Sequence, residues 1–401
     1  MAEIIKQGDC LQDESTMGQG LEMHYTLTDD GTLTISGQGV VGCDEWSDAD
    51  LDHDAEMGCG WSDRFSHCSQ FAAMDISCIV IEEGITGLAA ESFVLLPVKR
   101  VVLPEGLSYV GDDAFAECDA LEEIILPSTL AGISDRMFDC CENLKRIVIP
   151  EGVVSIGKDA FSGCTSLEYV SLPSTLTSIG DSAFFDCPNL AEIESPGPRF
   201  VLRNGCLCSD AGEVVLGANQ QEVIIPEGIT IVRRNAFNGF DKVTSVTLPE
   251  GIRDISGAFP RTGLRQVVIP KSLLKGSRAF TGCDALTKVV LSAESEDIDM
   301  SNAFEGCDSL KELVIADGVK TLSESIFEYC TSLESVYVPD SVKRIERDAF
   351  RDCRNLKEIR LPEDISFCRG VFEDCPCASS IDPVKYVKEE PKTNGEDDLP
   401  F

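Results

Sequence analysis

The side chains with the most chemical potential in this chain are its 19 cysteines, nine of which hold one recurring position: Cys118, Cys141, Cys164, Cys187, Cys283, Cys307, Cys330, Cys353 and Cys375. Thiols stacked one strand apart could serve as a metal or redox ladder, since the spacing approaches disulfide range. However, Leu96 and Phe240 fill the same position in other units. A slot that accepts leucine or phenylalanine selects apolar volume, and a free cysteine behaves as a small hydrophobe. An odd cysteine total in a long chain also fits reduced, buried thiols. The C-x-C pairs Cys206/Cys208 and Cys375/Cys377 lack the second pairs that a zinc site needs. His53, Cys59, His67 and Cys68 form the sole mixed cluster, with a spacing that matches no common zinc pattern.

Asp48, Asp50, Asp52, Asp54 and Glu56 imitate the alternate ligands of a calcium loop. His53 stands where such a loop requires glycine, and Cys59 where it requires a bidentate glutamate. A solvated acidic loop is therefore the favoured reading, with a divalent-cation-responsive module as its competitor, and no metal or other cofactor is expected. G-x-S-x-G, G-x-x-x-x-G-K-[ST] and H-E-x-x-H are absent, as is any nucleophile–base set. The expectation is a non-enzyme. With 33 basic against 70 acidic residues, the net charge of -37 repels phosphates and anionic lipid. A protein partner is expected, with no direct nucleic-acid contact. Nor does any apolar run reach the roughly 20 residues of a membrane helix.

The elements that position these residues follow from the phenylalanines. Phe93, Phe115, Phe138, Phe161, Phe184, Phe237, Phe259, Phe280, Phe304, Phe327, Phe350 and Phe372 are separated mostly by 21–24 residues, with one step of 53. That period lies in the leucine-rich-repeat window. Each unit reads AF-x-x-C-x-x-L-x-x-I-x-I-P-x-x-V-x-x-I-G, as at Phe138, Cys141, Leu144, Ile147, Ile149, Pro150, Val153, Ile156 and Gly157. Ile147 and Ile149 share one face of a strand, and Pro150 ends it. The next Ala-Phe is read as a short helical or 3₁₀ turn. The expected fold is an α/β-type repeat solenoid: a right-handed leucine-rich-repeat superhelix with a parallel concave sheet of about 13 strands and helical or 3₁₀ turns on the convex side. The units at 259–280 lack the cysteine and the glycine, so irregularity is expected there.

In such a strand the residue between the two apolar positions points outward. That row includes Val102, Ile125, Val148, Tyr337 and Arg360, and the neighbouring row Arg100, Arg146 and Tyr169. An apolar stripe edged by mixed charge suits a protein-binding concave face, although β-branched residues also simply favour strands.

Units such as CTSLEYVSLPSTLTSIGDSAF (164–184) and CDSLKELVIADGVKTLSESIF (307–327) resemble the BspA-like bacterial leucine-rich repeats. The resemblance spans about residues 76–375. It implies an N-terminal cap at YTLTDDGTLTISG (25–37) and a recurrent hairpin insert at 200–217, which accounts for the long step. The expected organisation is an N-terminal β cap with its acidic loop over 1–75, a solenoid over 76–377 with its insert at 199–217, and a disordered acidic tail over 378–401. The tail ends in Glu396, Asp397, Asp398, Leu399, Pro400 and Phe401. It resembles the acidic tip of bacterial single-stranded-DNA-binding proteins, which docks DNA-maintenance enzymes. In such a tip the terminal ring enters an apolar pocket and the acids meet a basic rim.

The leading expectation is a non-catalytic protein-recognition scaffold. An intracellular adaptor or decoy acting through the tail, and a secreted or surface adhesin, are the alternatives. The N-terminal residues carry no secretory signal, so the chain as written is expected in the cytoplasm.

Overall fold

The computed structural model describes residues 2–10, 22–42, 71, 74–195, 197–295, 298–368 and 370–381. The chain divides into two units, Met1–Ala211 with Val215–Asn219, and Gly212–Val214 with Gln220–Phe401.

The first unit opens with antiparallel strands Ile4–Asp9, Met23–Thr28 and Thr32–Gly37. The second and third are the hairpin anticipated at 25–37; the first strand was not foreseen. Asp30 shapes the turn by accepting bonds from the Thr28 hydroxyl at 2.6 Å and the Thr32 amide at 3.1 Å. Gly31 takes φ +79°, where side chains are strained.

Thr32–Gly37 then pairs in parallel with Cys78–Ile81, the first repeat strand. It is followed by Arg100–Val102, Glu123–Ile125, Arg146–Val148, Tyr169–Ser171 and Glu192–Glu194. The second unit contributes Glu222–Ile224, Ser245–Thr247, Gln266–Ile269, Lys288–Leu291, Glu312–Ile315, Ser335–Tyr337 and Glu358–Arg360. The thirteen repeat strands expected are thus all found among the described residues. The pairings are parallel and in step, as in Val80↔Val102↔Ile125 and Val148↔Ser171↔Glu194. Each unit is a β-solenoid.

One coil shows how local chemistry closes the path. After Arg146–Val148, the Pro150 carbonyl accepts the Val153 amide at 3.3 Å, turning the chain. Ser155–Ile156 then forms a second, shorter parallel pairing with Gly132–Ile133 and Ser178–Ile179. Gly157 follows because the preceding coil passes too close for a side chain: a Cβ there would lie 2.6 Å from the Asp135 nitrogen.

The back turns differ from expectation. Over the described residues the Ala-Phe segments are hydrogen-bonded turns, and the 3₁₀ helix that is present is Pro376–Ser380, after the last repeat. The reason lies in the amides. Asp113, Phe115 and Glu117 donate to Asp135, Met137 and Asp139 of the next coil, at 3.1, 3.0 and 2.7 Å. Ala116 and Cys118 donate within their own coil. A helix would turn the Glu117 amide back onto the Asp113 carbonyl of its own coil, away from Asp139. Left-handed φ at Asp113 (56°) and Glu117 (54°), repeated at Arg136 (51°) and Cys140 (57°), turns alternate amides outward to the neighbour.

The core is a column of phenylalanines in each unit. From Phe71 to Phe184 successive rings stack at 5.2–5.9 Å between centroids. From Phe237 to Phe372 they stack at 4.8–5.7 Å. The expected insert hairpin is present as Phe200–Arg203 and Cys206–Ser209, joined through Asn204 and Gly205, both at positive φ. The irregularity expected near 259–280 is mild. The second pairing thins there to isolated bridges Ile231↔Asp254, Asp254↔Lys275 and Lys275↔Asp299, while the phenylalanine column continues.

Candidate functional site

The outward row of the repeat strands is where the sequence placed it. In the first unit Val102, Ile125 and Val148 are exposed, Ile125 at 67% and Val148 at 57%, whereas Val101, Ile124 and Ile147 beneath are buried. Alternation along each strand explains the contrast. The neighbouring row carries Arg100, Arg146 and Tyr169, with Arg100 and Arg146 exposed. Arg146 faces Tyr169 across the strand pair, and its guanidinium carbon lies 4.4 Å from the ring centroid. The Tyr169 hydroxyl donates to Glu194 Oε2 at 2.7 Å, and this bond to a carboxylate holds the phenol above its ordinary pKa.

In the second unit Ile224, Val268 and Val314 are exposed in the outward row. Tyr337 is 50% exposed and lies opposite Arg360, whose guanidinium carbon is 5.0 Å from the tyrosine centroid. Lys288 pairs with Glu312 at 2.6 Å. The structure therefore joins four of the named residues into two Arg–Tyr pairs, one in each unit. Such a pair holds a flat aromatic surface open at one face beside a fixed positive charge.

The repeated cysteines sit beneath, remote from solvent. Cys118, Cys141, Cys164 and Cys187 donate their thiols to the carbonyls of Phe93, Phe115, Phe138 and Phe161 at 3.1–3.2 Å. Cys283, Cys307, Cys330, Cys353 and Cys375 do the same for Phe259, Phe280, Phe304, Phe327 and Phe350. Every described cysteine is a free thiol. Burial drives the Cys118 thiol up to about 12 and the Cys283 thiol up to about 11, the opposite of what a nucleophile or metal ligand needs. No cluster among the described residues has the makings of a metal site. Nor is any described helix long and apolar enough to cross a membrane.

The acidic stretch 44–56, the group His53, Cys59, His67 and Cys68, and the tail residues Asp397, Asp398, Leu399, Pro400 and Phe401 lie outside the described residues. One feature escaped the sequence reading: a cleft of about 580 Å³ on the back turns of the first unit, bordered by Glu117, Arg136, Asp139 and Cys140. Its residues occupy the variable positions of the repeat, so the periodic pattern carried no signal for them.

The fold is similar to that of a leucine-rich repeat protein from Eubacterium ventriosum, at 21% identity, 98% of this chain, 99% of that chain and a TM-score of 0.71. It is also similar to the pneumococcal vaccine antigen PcpA, at 18% identity, 90% of this chain, 93% of that chain and a TM-score of 0.58. A leucine-rich repeat protein from Bacteroides ovatus aligns at 23% identity, 88% of this chain, 91% of that chain and a TM-score of 0.50. No curated protein matches the sequence. Residues 86–209, 216–300 and 275–389 match the family profile described as BspA type leucine rich repeat region, in six copies.

Proposed function

This chain belongs to the BspA-type leucine-rich-repeat family, and from that premise we propose that it is a non-catalytic scaffold that grips a protein partner on the outward face of its repeat strands. The observation that carries the reading is the exposed stripe Val102, Ile125 and Val148 on successive strands. Contiguous exposed apolar surface rimmed by polar groups marks interaction sites. Arg100, Arg146 and Tyr169 supply that rim in the first unit; Tyr337 and Arg360 form a second candidate contact. Tyrosine and arginine dominate binding energy at protein interfaces. Cytoplasmic residence goes with this proposal, supported by the free thiols, and fractionation of the native cell checks it.

The test is capture from a native lysate with quantitative mass spectrometry, comparing the wild-type chain with Ile125→Asp/Val148→Asp. Both positions are exposed, so circular dichroism and melting should be unchanged. Proteins retained at least ten-fold less by the double variant are the expected outcome. Identical capture by both chains would reject this face. Tyr169→Ala and Tyr337→Ala should each weaken a partner so identified by about 1–2 kcal/mol.

A further inference from the structure

We infer that the cleft on the back turns of the first unit is a second binding site, fitted to a short peptide segment of a partner that carries lysine or arginine beside an apolar side chain. The cleft lies on the Ala-Phe turns, away from the outward strand rows, and its volume of about 580 Å³ falls within the range of roughly 300–1,000 Å³ for small-ligand clefts.

Five carboxylates border it: Glu117, Asp119, Asp139, Glu142 and Asp159. Their only cationic neighbour in the lining is Arg136, and that residue is already engaged. Its Nε and Nη2 donate to the two carboxylate oxygens of Asp113 at 2.8 and 2.6 Å, and the Asp113 side chain is only 4% exposed. Lys158 lies 3.6 Å from Asp159. Among the described residues no ion pair joins Glu117, Asp119, Asp139 or Glu142. Crowding leaves its mark: burial, followed by neighbouring carboxylates, raises Glu117 and Asp139 above the usual range, Asp139 despite a hydroxyl bond from Ser162.

The backbone accounts for this concentration. The bond from the Glu117 amide to the Asp139 carbonyl, 2.7 Å long, and that from the Cys140 amide to the Ser162 carbonyl, also 2.7 Å, lay consecutive coils side by side. Gly163 carries no side chain, and a Cβ there would meet Cys140 Sγ at 2.9 Å, so the half-buried thiol lies over the glycine. Leu95, 37% exposed, and Phe185 supply an apolar wall.

A partly buried surplus of negative charge beside apolar surface favours a cation on a hydrocarbon stem, which restores charge balance while burying methylenes. A second copy of this chain, at net charge -37, is the wrong sign. The described carboxylates also do not converge as metal ligands.

Fluorescence anisotropy with the full chain and a fluorescein-labelled Lys-Leu-Lys-Leu-Lys-Leu peptide tests the inference. Peptides with serine for leucine and with glutamate for lysine serve as comparisons. The triple variant Glu117→Gln/Asp139→Asn/Glu142→Gln should raise Kd ten-fold or more. Glu82→Gln/Glu83→Gln/Glu122→Gln, which removes the same charge from exposed positions elsewhere, should change it two-fold or less. Equal losses in the two triples would assign binding to the general field and overturn the site. Serine–lysine binding as tight as leucine–lysine, or displacement by millimolar calcium, would overturn it as well. Should the cleft variant fail to fold, the wild-type chain still decides. Bound Lys-Leu peptide should shield Cys140 from a cationic methanethiosulfonate, read by peptide mass mapping, and absence of shielding overturns the inference.

Discussion

At the scale of single residues, Cys164 shows what one atom adds to a slot that the repeat defines mainly by size. Leu96 and Phe240 at equivalent positions correctly pointed to apolar volume, and Cys164 is fully buried. Its thiol nevertheless donates to the Phe138 carbonyl of the preceding coil at 3.2 Å. That partner lies 26 residues earlier, so spacing within one unit could not disclose the bond. Thr262 makes the point from the other side: it occupies the slot after Phe259 and bonds that residue's own carbonyl at 3.0 Å. Cys164→Ala, losing both volume and donor, should cost about 1–3 kcal/mol. Cys164→Val, which keeps volume alone, should cost less. Urea denaturation of the two variants checks the order, and an unaltered midpoint in Cys164→Ala would mean that the slot is indifferent to its occupant.

At the scale of the coil, the strands and their register were legible because a period of two leaves no freedom once one face is buried. The back turn was not. Ala-Phe preceded by a polar residue reads equally as a helical start, and only the neighbouring coil decides where the amides go. The same division holds for the candidate sites: the outward stripe follows from alternation, whereas the carboxylate cleft arises from variable positions that touch only after stacking. The phenylalanine column makes the coil's energetics local. Phe304 stacks on Phe280 at 5.2 Å and on Phe327 at 5.4 Å and is fully buried. Phe304→Ala should cost roughly 3–5 kcal/mol. Hydrogen exchange should then accelerate most at the amides of the coils holding Phe280 and Phe327, because a repeat contacts only its neighbours. Uniform acceleration across the second unit would contradict nearest-neighbour stacking.

For the molecule as a whole, the recurring thiols add up to a pH response. In Cys118, Cys141, Cys164, Cys187, Cys283, Cys307 and Cys330, burial is the first cause of a raised pKa. A folded-state pKa above the unfolded value of about 8.5 means that the unfolded chain releases protons first as pH rises. The stabilisation is complete below about pH 8.5 and is lost as pH climbs toward the folded values, about 11 for Cys283 and about 12 for Cys118. Each such thiol should remove on the order of 1.4 kcal/mol per pH unit within that window. Urea midpoints measured from pH 7 to 10.5 should hold steady and then fall steeply. A midpoint constant to pH 10.5 would show the thiols to be solvated.

The alternating amides of the back turns have a consequence for how such a chain can change length. A coil hands its successor the same set of donors that it received, so its identity as a link is interchangeable even where its surface is not. Phe138 and Phe161 are 23 residues apart, and excising residues 139–161 would splice Phe138 onto Ser162 with every inward position still in phase. Losing a smaller piece has to be absorbed by the turns of its own coil, as the native steps of 21–24 residues are. Length in this molecule therefore changes most cleanly by whole coils, and the outward row of its strands can be lengthened or shortened one rung at a time.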